Sequence, residues 1–118
     1  MKAYTDIEQS KKLAEFLPLE SADMYWWATS LRYYIEAMDD GDFNEAEGHI
    51  PAWSLTALLE LMPERIKIGE ELSFCLTSKK SSTGYGFGYN LNGSTFVKDN
   101  PVDAAFEMIC WLKENNII

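Results

Sequence analysis

Histidine is nearly absent from this 118-residue chain: His49 stands alone, and the only cysteines are Cys75 and Cys110. A site built from several histidines is therefore excluded within one chain. A Ser–His or Cys–His pair would need its nucleophile brought to His49 from a distance, and no nucleophile elbow marks a serine or cysteine for that role. The two cysteines are widely separated, the usual placement of small buried hydrophobes in a reducing compartment, so no disulfide is expected.

Basic residues are scarce too, with 10 lysines and arginines against 19 acids and a formal charge of −9. Residues 1–63 hold 12 acids and 4 bases, whereas residues 64–118 hold 7 and 6, so the acidity belongs to the first half. Phosphate binding draws most of its affinity from clustered cations that release counterions, which argues against DNA or RNA as a direct ligand. No apolar run approaches the roughly eighteen residues needed to cross a bilayer. The opening Met1-Lys2-Ala3-Tyr4-Thr5-Asp6 has no apolar signal core behind it. The expectation is a cytoplasmic protein with no membrane partner, folded as a single domain over 1–118.

What the chain does hold is apolar and aromatic mass, 47% and 14% of its residues, enough for a packed interior. Its clearest local design lies at the end. Asn100 is a strong N-cap, Pro101 occupies the first helical position and Asp103 puts a carboxylate in the first turn. Val102, Ala105, Phe106, Ile109 and Leu112 then recur at helical spacing. At the other end, Thr5-Asp6-Ile7-Glu8 has capping-box spacing and Pro18 is a stop, which predicts a helix over about 6–16. Ser54, with Trp53 before it and Leu58 beyond, predicts a short central helix ending at Pro63.

From Ile66 to Lys98 the period changes to two. Leu72, Phe74 and Leu76 alternate with polar residues, and Tyr85, Phe87, Tyr89 and Leu91 alternate with Gly84, Gly86, Gly88 and Asn90. Asn92-Gly93 is a preferred hairpin dipeptide and predicts Tyr89 opposite Phe96. The loop at 78–83 reads as an exposed connection. The fold class is thus α+β: a small antiparallel sheet of about three to four strands within residues 66–98, packed with N-terminal, central and C-terminal helices. Residues 24–38 satisfy both the helical and the strand template, so periodicity leaves them open.

Three features invite functional readings. The series from Gly84 to Gly88 has GxGxG spacing and runs into a hairpin, unlike a dinucleotide fingerprint; a flat strand face for close approach of a helix or a ligand is the better account. In Asp39-Asp40-Gly41-Asp42-Phe43-Asn44-Glu45, alternating oxygen ligands suggest a calcium loop. Glu45 stands where that loop needs glycine, and Pro51 where it needs glutamate, so no metal is expected and a solvated acidic loop is the default. Asp42 and Glu45 can instead cap a short turn closing at Gly48. Of four tryptophans, Trp53 and Trp111 fit a core, but the adjacent Trp26 and Trp27 point to opposite faces of an extended segment, leaving one accessible as a partner anchor.

The blocks Ile50-Pro51-Ala52-Trp53-Ser54-Leu55, Leu58-Leu59-Glu60-Leu61-Met62-Pro63 and Asn100-Pro101-Val102-Asp103-Ala104-Ala105-Phe106, continuing to Trp111-Leu112, together with Ser21-Ala22-Asp23-Met24 and Ile7-Glu8-Gln9-Ser10-Lys11-Lys12-Leu13, resemble a group of short proteins of gut Bacteroidales and their phages or mobile elements. They cover about half the chain. The resemblance implies a small cytoplasmic α+β protein carried as an accessory gene, and no activity. The acidic stretch and the glycine strand lie outside the matching blocks.

The leading expectation is a non-enzymatic module, free of cofactors, that binds a protein with a basic surface. Its candidate contacts are Trp26, Trp27, Asp39, Asp40, Asp42 and Glu45, with mimicry of nucleic-acid phosphates as a sub-case. The alternative is a small-ligand domain using Tyr85 and Tyr89 of the glycine strand region. An enzyme using Asp23, His49 or Cys75 stands third.

Overall fold

The computed structural model describes residues 2–38, 42–68, 72–81, 84–89 and 96–118. They form an α+β fold in two compact units, Ala3–Ala57 and Leu58–Ile118, with Lys2 belonging to the second. The division falls within the central helix.

In the first unit, helix α1 (Ile7–Ala14) is followed by strands β1 (Met24–Ala28), β2 (Tyr33–Ala37) and β3 (Ile50–Ala52), paired antiparallel in the order β2-β1-β3. The ambiguous segment 24–38 is therefore a hairpin. Trp27 lies opposite Tyr34 and Tyr25 opposite Glu36, while Met24 pairs with both Ala37 and Ala52. Aromatic and β-branched side chains favour a pleated surface, and tertiary pairing settles what two competing periodicities do not. By alternation, Met24, Trp26, Ile35 and Ile50 share one face and Tyr25, Trp27, Tyr34, Glu36 and Pro51 the other.

The cap of α1 is displaced by one residue from the expected box. Asp6, not Thr5, is the N-cap: it accepts from the Gln9 amide at 2.8 Å, and the Gln9 side chain accepts from the Asp6 amide at 3.1 Å. Thr5 is drawn elsewhere. Fully buried, it pairs its backbone amide with the Trp53 carbonyl at 2.9 Å. Its hydroxyl accepts from the Trp53 amide at 3.1 Å and meets the buried Ser10 hydroxyl at 2.8 Å. The start of the chain is thereby tied to the end of β3, a long-range demand that outweighs a local cap. Trp53 is wholly buried, and its indole donates to Ser21 Oγ at 2.9 Å.

Helix α2 (Leu55–Leu61) begins where expected, with Ser54 Oγ accepting from the Ala57 amide at 3.2 Å, and stops before Pro63. Asp23 holds that cap by accepting from both the amide and the hydroxyl of Ser54.

In the second unit, β4 (Arg65–Ile68) pairs with β5 (Leu72–Cys75), and β6 (Thr77–Ser81), β7 (Gly84–Gly88) and β8 (Phe96–Lys98) form a three-stranded antiparallel sheet. The single sheet expected over 66–98 is thus two. The connection expected at 78–83 is in large part strand β6, paired along its whole length with β7. Its lysines mislead a propensity reading, yet charge on an edge strand is a common guard against further pairing. The register also differs from the Asn-Gly expectation. Phe87, not Tyr89, faces Phe96, because Tyr89 is wholly buried and its hydroxyl donates to the Pro63 carbonyl at 2.6 Å. Asn92 and Gly93 lie outside the described residues.

Helix α3 (Pro101–Glu114) packs on β7 and β8. Asn100 accepts from the Asp103 amide at 2.9 Å, and Asp103 also receives Lys2 Nζ at 2.7 Å. Val102, Ala105, Ile109 and Leu112 are buried as the spacing predicts, joined by Ala104, Met108 and Cys110; Phe106 is half-buried. The helix closes in a Schellman motif. Asn116 takes the left-handed position at φ 57°, its amide donating to Lys113, and the Ile117 amide donates to the Leu112 carbonyl.

Candidate functional site

The polar and aromatic face of the first unit gathers the chemistry. On it, the Tyr25 hydroxyl donates to Glu36 at 3.0 Å, and the Tyr25 ring stacks on His49 with centroids 5.1 Å apart. Phe43 meets Tyr25 edge-on at 5.8 Å. The backbone amide of Asn44 donates to His49 Nδ1 at 3.0 Å, which leaves the ring proton on Nε2, facing Glu47 Oε2 at 3.7 Å. Both ring nitrogens are thus engaged with the turn His49 follows, and among the described residues neither bonds a hydroxyl or a thiol. The lone histidine anchors the acidic segment.

That segment makes one short 3₁₀ turn, Glu45–Glu47. Asn44 caps it, accepting from the Ala46 amide at 3.0 Å, in place of the expected Asp42. Gly48 closes the turn as predicted, at φ 84°, a conformation that a side chain would strain. The turn leaves Asp42, Glu45 and Glu47 exposed, on the same unit as the exposed Glu36. Asp39 and Asp40 lie outside the described residues. Beside Phe43 opens a shallow cavity of about 150 Å³ lined by Ala14, Leu17, Leu19, Phe43, Glu45 and Pro51. Among the described residues no side chain pairs with the Glu45 carboxylate.

Trp26 and Trp27 take opposite faces, as alternation requires. Trp26 is half-buried, donates from its indole to the Thr5 carbonyl at 3.1 Å and meets Tyr4 edge-on, so it belongs to the fold. Trp27 stacks on Tyr34 with centroids 4.6 Å apart, and the Arg32 guanidinium lies over the other ring of the stack, 4.4 Å from the Tyr34 centroid. Its Nε1–H is buried without a hydrogen-bond partner among the described residues. At the hairpin tip Leu31 is 91% exposed. Phe43, Tyr34 and Leu31 were not singled out by sequence reasoning. Only the hairpin pairing brings Tyr34 under Trp27 and puts Leu31 at a tip, and a segment that fits two templates marks neither.

The residues proposed for the glycine strand do not form a comparable surface. Tyr85 is half-buried with the Lys80 ammonium 5.7 Å from its ring centroid, whereas Tyr89 is a core residue whose phenol burial pushes up to about 12. The close approach at this strand comes from the neighbouring strand: a Cβ on Gly84, itself at φ 143°, would lie 2.3 Å from the Lys98 carbonyl oxygen. Asp23 is engaged with Ser54, well accounted for by the α2 cap. Among the described residues no cluster of His, Cys, Asp or Glu is arranged to hold a metal ion, and no helix is long and apolar enough to cross a membrane. No family model, curated protein or solved structure matches the chain.

Proposed function

We propose that this chain is a non-enzymatic interaction module whose first unit docks on the basic surface of a protein partner. The observation that carries the reading is the exposed acidic turn, in which Asp42, Glu45 and Glu47 are displayed by a built structure pinned through His49 and Gly48. From Glu36 to Glu47 the chain has six acids and no base. A field of one sign steers association with a complementary surface and makes it depend on salt. Exposed apolar groups on the same unit, Leu19 at 47% and Leu31 at 91%, offer anchors to such a partner. Under this reading the chain works in the cytoplasm, where a buried thiol such as Cys110 stays reduced.

The test is capture of a host-lysate partner on immobilised protein at low and high salt, alongside a variant carrying Asp42→Asn, Glu45→Gln and Glu47→Gln. A partner retained at low salt, released at high salt and lost from the variant supports the reading. Equal retention by the variant, or no salt-sensitive partner, sinks it.

A further inference from the structure

We infer that the cavity beside Phe43 is a receptor for a lysine side chain of the partner, its aliphatic stem lying along Leu17, Leu19 and Pro51 and its ammonium meeting Glu45. This deepens the reading of the acidic turn as a docking face and rests on it. The size matches: a cavity of about 150 Å³ holds a molecule about as large as benzene, comparable to a four-carbon stem with its terminal ammonium. The chemistry matches as well, because the lining is of mixed polarity, with five residues of apolar type and one acid, Glu45. Lysine is the side chain that joins a long apolar stem to a compact charge at its tip. Arginine, with a wider planar head that needs several acceptors, suits a cavity with one carboxylate less well.

The walls are fixed before any ligand arrives. Phe43 is held edge-on to Tyr25, Pro51 belongs to β3, and Leu17 is tied to α1 by its amide donating to the Leu13 carbonyl at 2.8 Å. Glu45 opens the capped turn, so its backbone is set by Asn44 on one side and Gly48 on the other. A prearranged wall lowers the ordering cost of binding. Asp42 and Glu47 add attraction at longer range without lining the cavity.

The experiment is a titration of the ¹⁵N-labelled full chain with n-butylammonium chloride, n-butanol and n-butylguanidinium chloride as separate probes. Saturable shifts at the amides of Leu17, Phe43 and Glu45 are expected for butylammonium. Glu45→Gln should weaken that binding by about threefold to fivefold, the scale of an exposed charge pair. Ala14→Phe, which fills the cavity, should abolish it with the remaining amide spectrum intact. Equal binding of butanol, tighter binding of butylguanidinium, or indifference to both variants overturns the lysine receptor. Retention of poly-L-lysine separates the two levels. If the wild-type chain retains it and Ala14→Phe does so equally, while butylammonium shifts nothing, the cavity proposal falls and the acidic docking face stands. If poly-L-lysine is not retained even at low salt, the docking face falls as well.

Discussion

Residues Ala3–Ala57 carry eleven acids and three bases, whereas Lys2 with Leu58–Ile118 carries eight acids and seven bases. Both units pair a helix with small antiparallel sheets, so the contrast lies in how each is held and what it displays. The acidic unit is fastened by contacts between residues far apart in sequence: Thr5 to Trp53, Trp26 to Thr5, Trp53 to Ser21 and Asp23 to Ser54. The balanced unit has its most complete specification in one helix, capped at the front by Asn100 and closed at the back by Asn116. A unit that crowds like charges on its outside needs its interior fixed by contacts that do not depend on that surface.

Substitutions can break this contrast in a graded series. Trp53→Ala should have the largest effect, about 3–5 kcal/mol from lost burial together with the loss of the indole's bond to Ser21 Oγ. Hydrogen exchange should then quicken first at amides of Ala3–Ala57; equal loss of protection in α3 would show that the units are not separately held. Gly84→Ala should cost about 2–3 kcal/mol, since it adds a left-handed strain to a collision with the Lys98 carbonyl. Its exchange signature belongs to β7 and β8, and unchanged protection there would discount the close approach. Thr5→Val removes the acceptor of the Trp53 amide and the hydroxyl that meets Ser10, an expected loss of about 1–3 kcal/mol in denaturant unfolding. Thr5→Ser, which keeps the hydroxyl, should recover most of it. Asn100→Ala should cost about 1 kcal/mol, the ordinary value of an N-cap. Smallest of all, the triple neutralisation of Asp42, Glu45 and Glu47 should move stability by no more than about 0.5 kcal/mol while removing salt-dependent binding. A large stability change would make those acids structural and weaken the contrast from the side of function.

The same division explains what could be read from the letters. Signals confined to a few neighbouring residues were legible: the Asn100 cap, the Ser54 cap, the stop at Pro63 and the closure at Gly48. Signals settled by distant partners were not. Thr5 and Asp6 are both good caps, and only the pull of Trp53 decides between them. Tyr25 to Ile35 fits two periods, and only pairing with β3 and across the hairpin selects strand. Of the site, the acidic residues were visible as composition. The cavity was invisible, because Ala14, Leu17 and Pro51 acquire a common neighbour, Phe43, only when α1, β3 and the turn come together.

The placement of the indoles has a practical consequence. Three of the four, Trp26, Trp27 and Trp53, lie in the unit Ala3–Ala57, and Trp111 is alone in α3. With Trp111→Phe, intrinsic emission becomes an optical reporter of the acidic unit by itself, while chemical labelling of the buried Cys110 thiol follows the opening of the other. One sample can then yield two melting curves, and their coincidence or separation measures the cooperativity of the whole chain.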